Sequence, residues 1–307
     1  MTGLDDRAAG CLLGLACGDA LGGAVEFRDR NDLDRSFPDG IREIVGGGPH
    51  RLEPGEYTDD TQMALAIARG CTRDGIDLDA VAANLVAWYR SGPKDIGLAT
   101  DRALELIAQG VPWQDAGERL QRTSVDGVAG NGTVMRCAPL AARFRSDPER
   151  LRWSSIETSR MTHADPRATW GAVALNQGIV HLLGGGHRDS LVDASIEGIG
   201  EDRVVDAIRR APDMDRADVL SGGYVLDTLN AAYWSLLSTD SAEETIVRAV
   251  ALGHDSDTTG AVAGALAGAE YGASALPARW LDVLHDVDEI RSLAAQLLAW
   301  DADTESV

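Results

Sequence analysis

His254-Asp255-Ser256-Asp257-Thr258-Thr259-Gly260-Ala261-Val262-Ala263-Gly264-Ala265-Leu266-Ala267-Gly268-Ala269 is the stretch on which the fold turns. Its second half is apolar and carries glycine at every fourth position, so Gly260, Gly264 and Gly268 share one helix face. Glycine costs about 1 kcal/mol against alanine inside a helix. A stripe of it implies a neighbouring backbone in close approach, and the spacing predicts a helix over 260–271 through the centre of a bundle. Its first half gathers two carboxylates and neighbouring hydroxyls at the helix start.

Outward from this stretch the chain reads helical nearly throughout. Apolar residues recur at helical spacing over Thr61–Thr72, Leu78–Arg90, Gly97–Gln109, Pro166–Leu183, Val225–Leu237 and Ala242–Ala251. A further helix is expected over Pro277–Ala299. Near the N-terminus, Asp5 and Asp6 stand where an N-cap belongs, ahead of an apolar run from Ala8 to Val25. That run is Gly-rich and contains Asp19, which marks a core helix and not a membrane span. Alternating patterns are rare, so strands are expected to be scarce. Gly46-Gly47-Gly48 and Gly184-Gly185-Gly186 read as turns, and the charged stretch Glu197–Arg216 as a surface excursion. No linker or repeat divides the chain, which predicts one all-α domain over residues 1–307.

With 28 basic against 49 acidic residues, the formal charge is -21. Such a surface repels phosphate backbones and argues against a nucleic-acid partner. A local pocket of backbone N–H groups can still take a small anion. Cys11, Cys17, Cys71 and Cys137 form no CxxC pair and no dense disulfide pattern, so buried reduced thiols are expected. The opening Met-Thr-Gly-Leu-Asp-Asp lacks a basic signal-peptide region. A cytoplasmic monomer is the expectation.

A second acidic cluster, Thr58-Asp59-Asp60-Thr61, also precedes an apolar helix. Each cluster reads in two ways. A helix N-cap uses one side-chain oxygen, and carboxylates favour the positive end of the helix dipole. Oxygen-only ligands at two converging helix starts equally suit hard cations such as Mg²⁺ or Mn²⁺.

Four segments in order carry a resemblance: Gly14-Leu15-Ala16-Cys17-Gly18-Asp19-Ala20-Leu21-Gly22, Thr58-Asp59-Asp60-Thr61, Gly130-Asn131-Gly132-Thr133-Val134-Met135-Arg136, and Gly253-His254-Asp255-Ser256-Asp257-Thr258-Thr259-Gly260. Together with Ser221–Leu229 they resemble the ADP-ribosylglycohydrolases, a family that includes bacterial dinitrogenase reductase-activating glycohydrolases and animal ADP-ribosylarginine hydrolases. The likeness spans Gly10 to Trp280. It implies a compact orthogonal helical bundle with two divalent cations, Mg²⁺ or Mn²⁺, at the base of a cleft. Carried over residue by residue, it implies Thr58, Asp59, Asp60, Asp255, Asp257 and Thr258 as ligands, with Asp257 bridging. Glu26, Asp59 and Asp257 become the catalytic candidates.

The resemblance further implies that Gly130, Asn131, Gly132, Thr133, Val134 and Met135 wrap a diphosphate, with His163 close to the ligand. Read alone, the loop is equally a turn and His163 a structural histidine. Tyr224 is a candidate to stack on adenine or to sit in the core, and Glu26 reads otherwise as a surface carboxylate. Asp95 falls where arginine-directed members hold an aspartate near the guanidinium. The implied reaction is hydrolysis at C1 of the distal ribose through an oxocarbenium-like transition state, releasing ADP-ribose from a protein side chain. Arginine is the expected linkage; serine or O-acetyl linkages are the alternatives. A phosphohydrolase cutting the diphosphate, or a protein that binds ADP-ribose without turnover, would share much of this pattern.

Overall fold

In the computed structural model, which describes residues 3–304, sixteen α-helices and three short 3₁₀ turns carry almost all of the regular structure. Two strands of two residues, Cys71–Thr72 and Gly75–Ile76, form a minor antiparallel hairpin. The all-α architecture is as expected. Among the described residues no helix is long and apolar enough to cross a membrane.

The glycine stripe finds its partner in the first helix, Leu4–Gly22, which carries its own stripe of Gly10, Gly14, Gly18 and Gly22. This helix runs against Ser256–Tyr271, the two backbones interlocking residue for residue. A methyl group added at Gly260 would sit 2.5 Å from the Gly18 carbonyl oxygen, and additions at Gly264 and Gly268 would fall closer still to Gly14 and Gly10. Leu13, Leu15 and Leu21 on the other faces are fully buried, each stabilising the fold by roughly 1.5–3 kcal/mol. Because the two helices antiparallel each other's stripes end to end, Gly22 meets the backbone of Ser256 and Asp257. The close packing thereby delivers the end of one helix onto the acidic start of the other.

Several boundaries differ from the reading of the sequence. The first helix is capped by Gly3; Asp5 and Asp6 lie inside its first turn, where carboxylates still meet the positive dipole end. The helix expected over 61–72 is Asp59–Gly70, since Cys71 and Thr72 turn extended to pair with the hairpin. The central helix begins at Ser256, so Asp257 and Thr258 belong to its first turn. The expected helix over 277–299 is broken into Ala278–Leu281 and Val287–Thr304, with Asp286 at φ 56° between them.

Glu197–Arg216 is not a surface excursion. Its helix Asp202–Arg210 buries Val204, Ala207 and Ile208, while the charged residues take the outer face. Three helices between 110 and 165 were not expected individually: Trp113–Thr123, Ala138–Arg143 and Pro148–Arg160. The last had a legible start, with Asp147 accepting from the Arg150 N–H and Pro148 at the first helical position. The four cysteines are free and buried.

Candidate metal centre and substrate cavity

Three helix ends meet at one point: the C-terminal half of Leu4–Gly22 and the starts of Asp59–Gly70 and Ser256–Tyr271. Thr58 and Asp255 occupy the N-cap positions of the latter two, yet neither side chain accepts a capping hydrogen bond. Asp19 does that work for the first of them. Its buried carboxylate accepts from the Thr58 N–H (2.8 Å), the Thr58 hydroxyl (2.8 Å), the Thr61 N–H (2.9 Å) and the Thr61 hydroxyl (2.6 Å). Burial raises the Asp19 carboxyl above the usual range against the pull of those four bonds. With the cap supplied from another helix, Asp59 and Asp60 are free for other partners. Asp19 was visible in the sequence as a lone carboxylate within an apolar helix, a placement that requires a buried partner.

The carboxylates crowd together. The Thr58 hydroxyl lies 3.2 Å from Asp60 Oδ2 and 3.5 Å from Asp257 Oδ2, and the Thr258 hydroxyl 3.5 Å from Asp60 Oδ2. Oxygens of Glu26, Asp255 and Asp257 all fall within 4.8 Å of one another. Asp60 Oδ1 is buried with no hydrogen-bond partner. Among the described residues no Lys, Arg or His forms a salt bridge to Asp59, Asp60, Asp255 or Asp257. Clustered carboxylates without cationic partners, one with an orphaned buried oxygen, fit divalent metal ions, and the all-oxygen donor set fits Mg²⁺ or Mn²⁺.

Electrostatics agree. Burial, reinforced by neighbouring carboxylates, holds Asp59, Asp60 and Asp257 well above the usual carboxylate range. Burial and the Asp95 charge push Glu26 up to about 7. In the unfolded chain such groups ionise near pH 4. Their protonated form therefore contributes stability that is complete below that value and is lost as pH rises through the folded values. Metal-free protein is expected to lose melting temperature between about pH 5 and 8, and Mg²⁺ or Mn²⁺ to flatten the decline. Melting curves in chelator check this; a midpoint that rises over the interval would mean that the cluster is neutralised from within the protein.

Beside this centre opens a cavity of about 680 Å³, within the usual range for small-molecule sites. Glu26, Asp59, Asp95, Asp255, Asp257, Thr258 and His163 all line it. Thr58 and Asp60 lie beneath them, buried. Two backbone bonds, Phe27 N–H to the His254 carbonyl and His254 N–H to the Arg28 carbonyl, both 2.7 Å, tie the Glu26 segment to the Asp255 cluster. Phe27 and His254 both hold left-handed φ, at 64° and 56°. Such strain costs on the order of 1–3 kcal/mol per residue and marks a junction held by its surroundings.

Of the predicted loop, Gly130, Asn131, Gly132 and Met135 line the cavity. The Thr133 hydroxyl instead donates to the Ala168 carbonyl, and Val134 packs in the core. Asn131 joins loop to centre, its amide donating to Asp255 Oδ2 at 2.9 Å and to Thr228 Oγ1 at 3.0 Å. Tyr224 pairs with Gly130 through the backbone and carries the Arg167 guanidinium over its ring, 5.5 Å from the centroid. It is not among the lining residues.

His50 went unread in the sequence. Its Nε2 lies 2.5 Å from Glu26 Oε2 and 3.7 Å from Asp95 Oδ2, and its Nδ1 contacts the Lys94 carbonyl. Burial works to lower its pKa, but the Asp95 and Glu26 carboxylates outweigh that and raise it. No periodicity or motif marks His50 in the chain. Only folding brings residues 26, 50 and 95 together.

A helical bundle with a carboxylate-lined cavity at converging helix starts defines the class, and comparison with known proteins supplies the family. The family model for ADP-ribosylglycohydrolase matches residues 1–305. The chain is 35% identical over 301 residues to an ADP-ribosylarginine hydrolase Tri1 of Serratia proteamaculans (strain 568), covering 95% of this chain and 79% of that one. It is 34% identical over 290 residues to the ADP-ribosyl-[dinitrogen reductase] glycohydrolase of Rhodospirillum rubrum, covering 92% of each. A solved structure titled ADP-ribosylglycohydrolase-related protein complex superposes with a TM-score of 0.83 at 36% identity, covering 98% of this chain and 100% of that one. The chain belongs to the ADP-ribosylglycohydrolase family. It is an enzyme that cleaves ADP-ribose glycosidic bonds.

Proposed function

We propose that the enzyme removes ADP-ribose from arginine side chains of proteins, with divalent cations held by Thr58, Asp59, Asp60, Asp255, Asp257 and Thr258. The observation that carries the arginine linkage is Asp95. Its side chain is 19% exposed, faces the cavity and stands within the Glu26–His50–Asp95 group beside the carboxylate cluster. A carboxylate so placed can hold a guanidinium through paired charge-assisted hydrogen bonds. The two relatives at about 35% identity bear names that specify arginine or dinitrogen reductase as the modified target.

Bound cations would supply Lewis acidity at the base of the cavity. The protein's own groups do the rest. Glu26, with a pKa near 7, is suited to take a proton from water near neutral pH. One water is consumed: its oxygen bonds to ribose C1, the C1–N bond breaks, and the water's proton ends on the departing guanidine. The glycines of the 130–135 loop give backbone N–H groups access to the diphosphate.

Purified protein incubated with arginine-ADP-ribosylated protein, with and without Mg²⁺ or Mn²⁺, tests this by mass spectrometry. Metal-dependent release of intact ADP-ribose is the expected result. AMP as product would identify a phosphohydrolase instead. Release only from serine-linked or O-acetyl substrates would remove the arginine assignment, and binding of ADP-ribose with no turnover would remove catalysis.

A further inference from the structure

Arg136 is 1% exposed, and among the described residues no carboxylate forms a salt bridge with it. Its Nη2 donates to the Thr162 hydroxyl at 2.7 Å and to the Thr158 carbonyl at 3.2 Å. The same Thr162 oxygen lies 2.7 Å from His163 Nδ1. Thr162 is fully buried and has no other acceptor within reach among the described residues. Guanidinium is a donor only, so Thr162 Oγ1 must accept from Arg136. Its single proton then has one destination, the lone pair of His163 Nδ1, because the alternative strands a buried hydroxyl donor at a cost of about 1–3 kcal/mol.

From this chain of donors we propose that Arg136 and Thr162 are positioning residues that hold His163 as the neutral tautomer protonated at Nε2. That N–H is aimed at an acceptor oxygen of the ADP-ribosyl group in the glycine loop. The ligand half rests on the functional reading above. His163 lines the cavity, and its ring lies directly beneath the loop: a Cβ at Gly130 would stand 2.9 Å from Nε2, and one at Gly132 2.9 Å from Cε1. Nε2 makes no hydrogen bond to a described residue, so its proton is available to a ligand. Burial and the adjacent Arg136 charge push the His163 pKa down to about 3, which keeps the ring neutral. A fixed neutral donor binds a phosphate or hydroxyl oxygen without exchanging its proton during turnover.

The test is the two-bond ¹H–¹⁵N spectrum of the full-length protein, with His163 identified by subtraction of His163→Gln. Wild type should show a protonated Nε2 and a bare Nδ1, unchanged across neutral pH, with Nε2 shifting on addition of ADP-ribose. Thr162→Val should mix the tautomers and raise KM about ten-fold with kcat within two-fold, the scale of one lost hydrogen bond. Thr162→Ser should restore both. A protonated Nδ1 in the wild type overturns the relay, whatever the enzyme's substrate. The expected tautomer with no response at Nε2 to ADP-ribose overturns the ligand half alone. A wild type that releases no ADP-ribose from any linkage overturns the functional reading and leaves the tautomer to its own spectrum.

Discussion

Asp257→Ala is expected to lower the rate of ADP-ribose release by about three orders of magnitude, the scale of several kcal/mol of lost charge stabilisation at a metal-assisted site. Asp257 is the carboxylate of the second cluster that reaches the first, as Asp60 reaches Thr258 in the opposite direction. Its Oδ2 stands 3.5 Å from the Thr58 hydroxyl, and its oxygens share the group formed with Glu26 and Asp255. The same substitution should raise the melting temperature of metal-free protein near neutral pH. Burial and the adjacent Asp255 hold the Asp257 carboxyl well above its ordinary range, so ionising it there opposes folding, and alanine removes that cost. Opposite signs in the two measurements separate a functional group from a structural one. A variant that kept its rate within ten-fold of wild type would remove Asp257 from the centre. One that lost both rate and stability would mark the carboxylate as part of the framework.

Gly264→Ala should destabilise the protein by about 4 kcal/mol, a fall in melting temperature of roughly 6 °C for a chain of this size. The sign is the informative part. Inside an unencumbered helix the change would gain about 1 kcal/mol from propensity alone. Here a Cβ would meet the Gly14 carbonyl, which is backbone of the facing helix and cannot rotate away. The two helices must separate along their length, leaving voids beside fully buried Leu13, Leu15 and Leu266. Because that seam also sets Gly22 against Asp257, separation should weaken Mn²⁺ binding as well, measurable by calorimetry on the folded fraction. Stabilisation by alanine would show that the seam has slack.

Much of this was legible in the chain because it follows from local periodicity. Helix existence came from apolar spacing, and Leu78–Arg90, Pro166–Leu183 and Val225–Leu237 run where that spacing put them. The stripe at Gly260, Gly264 and Gly268 announced a close backbone neighbour. The identical spacing at Gly10, Gly14, Gly18 and Gly22 held the answer to which one, but a repeat of four names a face and not its partner. Breaks were less visible, since Asp286 takes a left-handed conformation without being glycine. So was the helix Asp202–Arg210, whose charge on the outer face outweighed three buried apolar positions at Val204, Ala207 and Ile208.

The two acidic clusters show the division most clearly. By itself the sequence determined the donor types, their order and their places at helix starts, and left open whether the carboxylates cap helices or hold cations. Tertiary structure took the capping role from Asp59 and Asp60, by bringing Asp19 from a third helix to cap Thr58 and Thr61. It also brought Glu26, His50 and Asp95 into one group and buried Asp60 with an oxygen unmatched. The reason is physical. A cap, a period and a propensity are set within one turn of chain, whereas desolvation and charge crowding arise only between segments that folding makes neighbours.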